Sequence, residues 1–159
     1  MTRILFLHGR ESGPQGTKAK WLAERYGAIT PQLETVLVPD TMPTARAAVA
    51  EYAPELIVAS SYGGAVAVKL LWEGAYSGPV VLIAAAAAKL GGDHALPDGA
   101  RVIIIHGDAD AVVPYADSVA LAATGGPGVR LVTVAGGDHR LNVILDNGVL
   151  SAAIAELRG

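Results

Sequence analysis

The chain predicts an α/β fold, a six-stranded parallel sheet with helices on both faces, and three observations carry that expectation. Short aliphatic runs recur along it, most of them closed by Gly, Pro or Asp and separated from the next by a stretch with helical spacing. The residues are 52% hydrophobic and only 17% charged, with the excess in Ala and Val rather than in aromatics, which suits strands buried under helices on both sides. Finally, six strands and their crossovers consume nearly all of the 159 residues, so a single domain over residues 1–159 is expected, with little left for insertions.

Each element has its own signal. Residues 3–7 read as a first buried strand, followed by His8-Gly9 and a glycine-rich loop over residues 10–16; a helix over 17–26 carries Trp21 and Leu22, and Gly27 stops it. Residues 33–38 read as the second strand, closed by Pro39-Asp40, and Pro43 is placed to open a helix over about 44–52. Pro54 separates that helix from a third strand leading into Ser60-Ser61, and the next helix runs to about Glu73, before Gly74. Residues 79–84 form the fourth strand and 101–105 the fifth, with a helix after Pro114; residues 129–134 are the sixth, and a last helix spans roughly 141–157. Because consecutive strands are separated by crossover connections, right-handed parallel connections follow, and ligands are expected beyond the carboxyl ends of the strands.

Composition narrows the function. There is no Cys, which removes disulfides, thiolate catalysis and Cys-based zinc sites. With 12 Lys and Arg against 15 Asp and Glu, a formal net charge of −3 and no basic cluster, nucleic acid is not an expected partner. The longest uncharged apolar run, residues 80–88, is too short to cross a bilayer, and the first residues hold too little apolar sequence for a signal peptide. A cytoplasmic protein without a membrane partner is therefore expected.

The stretch from Leu56 to Val68 carries the chemistry. An aliphatic run gives way to small-residue helical pattern through Ser60-Ser61-Tyr62-Gly63-Gly64, which is where a strained strand-to-helix turn would present a nucleophile. In such a turn the residues two before and two after the nucleophile must be small. Ser61 has Ala59 and Gly63 at those places, whereas Ser60 has Val58 and Tyr62, so Ser61 is the candidate. A serine needs a base to take its proton and an acid to hold that base. His139 stands in the loop Gly136-Gly137-Asp138-His139-Arg140 and is the best base; His94 lies in a surface-like stretch, while His8 and His106 end strands before a glycine, where a backbone-bonded structural role is expected. The acid comes from the segment 106–114, in which Asp110 is favoured over Asp108: Asp108 sits at the strand end and is suited to fixing the turn, while Asp110 lies farther out. Backbone N–H groups of Tyr62 and of Arg10, in the loop after the first strand, are the expected donors to an oxyanion.

Leu7-His8-Gly9, Ser61-Tyr62-Gly63-Gly64, His106-Gly107-x-x-Asp110-x-x-Val113-Pro114 and His139 together make the sequence resemble the α/β-hydrolase superfamily, in particular its small, lid-less esterases. The resemblance implies a minimal α/β-hydrolase fold with no lid domain, and a serine hydrolase cleaving small or short-acyl carboxylic esters through an acyl-enzyme. Thioester or amide cleavage would use the same apparatus. It also implies Ser61 as nucleophile, Asp110 as acid, His139 as base, backbone donors at Arg10 and Tyr62, a small-molecule ester substrate, and neither cofactor nor metal. Two alternatives stand beside it. Gly9, Gly13 and Gly16 after a first strand, with Asp40 after the second, suggest a Rossmann-like dinucleotide-binding protein, although their spacing matches no phosphate-binding motif and Pro14 removes an N–H. The other is a non-catalytic binding protein that keeps the α/β-hydrolase fold.

Overall fold

The strands of this chain are hydrophobic in both directions, and they pair accordingly: each is parallel to its neighbours and covered on two faces. The computed structural model describes residues 2–91 and 95–159, which leaves the expectations for Asp93 and His94 outside the described residues. Its elements are β1 (Ile4–Leu7), α1 (Thr17–Tyr26), α2 (Val38–Tyr52), β2 (Leu56–Ser60), α3 (Tyr62–Trp72), β3 (Val80–Ile83), α4 (Ala87–Gly91), β4 (Val102–Gly107), α5 (Tyr115–Ala123), β5 (Val129–Val134), α6 (Val143–Asp146) and α7 (Val149–Arg158). The five strands lie in the order β1-β2-β3-β4-β5, every pair parallel, with Ile4 opposite Leu56, Ile57 opposite Val80, Val80 opposite Val102 and Val102 opposite Val129.

Side chains alternate across this sheet and feed two cores. Leu5, Leu7, Ile57, Ala59, Leu82 and Ile104 face one way, against Met42 and Ala45 of α2, most of α3, and Leu121 of α5. Ile4, Phe6, Val58, Val81, Ile83 and Ile105 face the other, against Leu22 of α1, Ile144 of α6 and Leu150, Ile154 and Leu157 of α7. All side chains of β2 and β3 are buried, and burial of a Leu, Ile or Val side chain contributes about 1.5–3 kcal/mol, so these strands anchor the fold.

The expected second strand, over residues 33–38, does not form, so the sheet has five strands rather than six. Residues 33–37 are irregular, and it is Ile29 that pairs with β1 ahead of them, through Phe6 N–H to Ile29 O at 2.9 Å and Ile29 N–H to Ile4 O at 3.1 Å. Pro31 has no N–H with which to continue that ladder, and the chain turns away. Pro39 then sits in the first turn of α2, which begins at Val38, earlier than expected, and takes Pro43 inside it. The last helix is also two: Gly148, at φ 83, separates α6 from α7. Among the described residues no helix is long and apolar enough to cross a membrane.

Candidate active site

All five carboxyl ends of a parallel sheet share one edge, and the loops that leave it hold the site. At the end of β2 the chain must reverse into α3 without room for a normal turn. Ser61 adopts φ 51 and ψ −112, a conformation L residues rarely take, and holds it through Ser61 N–H to Ile83 O at 2.9 Å and through its carbonyl, which accepts from Gly64 and Ala86 N–H at 2.9 and 3.0 Å. Gly63 explains why the turn needs small neighbours: a Cβ there would lie 2.0 Å from Leu7 O and 2.8 Å from His8 O. This close approach of α3 to the end of β1 pushes Ser61 up beside the next loop, with Gly9 so near that a Cβ on it would be 3.4 Å from the Ser61 Cβ.

The expected base and acid, His139 and Asp110, are brought in by a similar close fit. Gly107, ending β4, and Gly137, in the loop after β5, touch backbone to backbone; a Cβ on Gly107 would be 2.2 Å from Gly137 O. Ala109 N–H donates to Gly137 O at 3.1 Å and Gly136 N–H to Asp108 Oδ1 at 2.7 Å, tying the two loops together. Asp108 thus braces the β5 loop, and it is Asp110 that fixes its own turn, its Oδ1 accepting from Val112 and Val113 N–H at 2.8 Å each. The two aspartates therefore divide the work differently from the expectation, in which Asp108 bonded its own backbone.

Ser61 Oγ lies 2.9 Å from His139 Nε2, and His139 Nδ1 lies 2.8 Å from Asp110 Oδ2. The Asp110 side chain is fully buried, that of His139 is 20% exposed. Burial pushes the Asp110 carboxyl up, but the hydrogen bonds from His139, Val113 and Val112 outweigh it and hold the group below its ordinary value, hence ionised. An ionised acceptor at Nδ1 assigns the hydrogen to that nitrogen and leaves Nε2 as an acceptor for the serine hydroxyl.

Behind Asp110 lies a residue whose part the sequence did not reveal. His106 is fully buried, and its Nε2 faces two acceptors, Asp110 Oδ2 and Val113 O, both at 3.0 Å, so that nitrogen carries the hydrogen. Its Nδ1 then accepts from Ser118 Oγ of α5 at 2.6 Å. His106 is thus bonded to the Asp110 side chain as well as to backbone; its spacing of four residues from Asp110 was the available clue. His8 is bonded to backbone on both ring nitrogens, donating from Nδ1 to Gly9 O at 2.7 Å and accepting Leu33 N–H at Nε2 at 3.0 Å.

The two expected oxyanion donors belong to the residue after Ser61 and the residue after Gly9, which approaches Ser61. Tyr62 N–H opens α3 and Arg10 N–H follows Gly9; among the described residues neither has a hydrogen-bond acceptor, as is usual for the first N–H of a helix. Tyr62 itself is buried, its hydroxyl 2.5 Å from Thr41 Oγ1, with the Arg10 guanidinium 5.3 Å from its ring centre. Above these groups opens a cleft of about 420 Å³ that reaches Ser61, His139, Tyr62 and Arg10. Asp40 does not end a strand, as a ribose-binding acid would need: it is an exposed residue in the first turn of α2. Among the described residues no three His, Asp or Glu side chains are grouped so as to share a metal ion.

No protein-family model matches the chain, and no curated protein matches it in sequence. Solved structures do. A chain from Xanthomonas campestris pv. campestris assigned to the alpha/beta hydrolase superfamily superposes with a TM-score of 0.80 at 23% identity, over 98% of this chain and 96% of that one. Alpha/beta hydrolase domain-containing protein 10 from mouse gives 0.78 at 17% identity over 97% and 90%. Est1E from Butyrivibrio proteoclasticus, in a structure with ferulic acid bound, gives 0.76 at 15% identity over 99% and 89%. The neighbours are members of the α/β-hydrolase superfamily, and the fold they share with this chain is the α/β-hydrolase fold.

Proposed function

We propose that this α/β-hydrolase-fold chain is a serine hydrolase of small or short-acyl carboxylic esters, acting within a single domain through an acyl-enzyme. The observation that carries the proposal is the continuous hydrogen-bonded path from Ser61 to His139 to Asp110, at 2.9 and 2.8 Å, opening on a cleft.

In the proposed cycle, Ser61 Oγ attacks the ester carbonyl while its proton passes to His139 Nε2, and the carbonyl electrons move onto oxygen, where Arg10 and Tyr62 N–H receive them. Collapse of the tetrahedral species breaks the bond to the alcohol, which leaves with the proton from His139. Water then repeats the sequence on the acyl-enzyme, giving up a proton to His139, and releases the acid. Asp110 holds the imidazole in the one tautomer that serves these steps and stabilises the imidazolium that forms between them. The 84–101 connection between β3 and β4 leaves too few residues for a lid domain, and a cleft of about 420 Å³ suits a small substrate.

Hydrolysis of p-nitrophenyl acetate tests the proposal. The protein is expected to turn it over with an initial burst of nitrophenolate, and Ser61→Ala or His139→Ala to lower kcat by roughly 10⁴. Unchanged turnover in Ser61→Ala would reject the mechanism.

A further inference from the structure

Around the same cleft the balance of charge is reversed relative to the chain. The whole sequence has 15 acidic residues against 12 Lys and Arg, yet among the described residues the cleft is lined by Arg10, Lys18, Lys89 and Arg140 and by a single carboxylate, that of Glu11. These four come from four separate places: the loop after β1, the start of α1, α4, and the loop after β5. We infer that the substrate is an anionic ester, carrying an acid group away from the scissile carbonyl that these four side chains receive; the inference rests on the hydrolase assignment proposed above.

The way the cations are held supports this. Arg3, Arg46 and Arg130 each pair with a glutamate, whereas among the described residues none of the four around the cleft makes an ion pair. Three of them are oriented by neutral acceptors instead: Arg10 Nη2 donates to Val36 O at 3.0 Å, Lys89 Nζ to Val112 O at 3.1 Å, and Lys18 Nζ to Asn142 Oδ1 at 3.0 Å and to Arg140 O. Such bonds aim a charged group without neutralising it. Lys18 shows the cost, since burial pulls its ammonium down to about 8 despite the opposing field of Asp138, with Arg140 adding to the fall. A cation kept partly out of water in the same cleft as Ser61 is compensated when an anion arrives, and a cleft of one sign also raises the arrival rate of that anion.

Matched pairs of esters differing only in charge test the inference. One pair is the mono-p-nitrophenyl ester of adipic acid and its methyl ester, with the charge on the acyl side; the other is 4-acetoxybenzoate and its methyl ester, with the charge on the leaving group. Rates are divided by those of spontaneous hydrolysis. At low salt kcat/KM for at least one acid is expected to exceed that of its methyl ester by about tenfold or more, with the advantage shrinking at high salt. Lys18→Met and Arg140→Gln are each expected to lower that acid-to-methyl-ester ratio several-fold. A purely structural role would lower both members of a pair together and leave the ratio alone, which would remove the assignment of these side chains. Acids no better than their methyl esters, with neutral esters still hydrolysed through Ser61, would overturn the substrate class and leave the hydrolase standing. Absence of all turnover would overturn both.

Discussion

Replacing Ser61 with glycine is expected to stabilise the protein relative to replacing it with alanine. Ser61 sits at φ 51 and ψ −112, where a Cβ is crowded by the backbone, and such a conformation costs an L residue about 1–3 kcal/mol. Ser61→Ala keeps the Cβ and the strain; Ser61→Gly removes both. Both variants lose the hydroxyl and its bond to His139, so their difference isolates the backbone. Against a relief of about 2 kcal/mol stand roughly 0.7 kcal/mol of extra chain entropy in the unfolded glycine variant and a few tenths for the methyl group packed near Gly9. The glycine variant should therefore be more stable by about 1 kcal/mol. Urea unfolding followed by circular dichroism would show this as a midpoint higher by about 0.5 M at an m-value of roughly 2 kcal/mol/M. A glycine variant no more stable than the alanine one would refute the claim that the turn stores strain at Ser61.

Four other perturbations follow from the same geometry. Gly63→Ala drives a methyl to 2.0 Å from Leu7 O, so α3 must back away from β1; stability should fall by about 3 kcal/mol or more in urea, and turnover by about 10² as Ser61 shifts. Asp110→Asn should lower kcat by roughly 10³ to 10⁴ with little change in KM. Because the folded carboxyl is held below its ordinary value, the stability it contributes is present above about pH 4 and is lost as pH falls through the folded value, so wild type and Asp110→Asn should converge in acid urea melts. His106→Leu strands Ser118 Oγ and removes a donor from Asp110 Oδ2, which should cost about 2–4 kcal/mol in urea and lower kcat in p-nitrophenyl acetate assays. For Lys18, with its folded value near 8 against an ordinary 10.5, the unfolded chain binds more protons between those limits; wild type should gain on Lys18→Met across that window, by up to about 3 kcal/mol, in urea melts run from pH 7 to 10.5.

Much of this architecture could be read from residue patterns because local sterics dictated it. The small-residue rule singled out Ser61 over Ser60, and the space around Gly63 shows why the rule holds there: the carbonyls of Leu7 and His8 fill it. The second strand misled because Val36, Leu37 and Val38 look like strand residues, whereas Val36 and Leu37 are more than 60% exposed and the buried positions are Leu33, Val38, Met42 and Ala45, a pattern that belongs to the approach to a helix and its inner face. The break in the last helix had a visible signal in Asn147-Gly148, which an extended apolar pattern obscured. What sequence order conceals is contact between distant segments. His106 and Ser118 meet only because α5 folds back beneath the β4 turn, and the four cleft cations, spread from residue 10 to residue 140, form no cluster until the loops converge.

Activation of the Ser61 hydroxyl by His139 would be visible in intact-mass analysis after incubation with a fluorophosphonate. A single added phosphonyl group on the wild-type chain, localised to Ser61 and absent from both Ser61→Ala and His139→Ala, is the expected result. Labelling that persists in Ser61→Ala, or a wild-type chain left unmodified at saturating reagent, would contradict it.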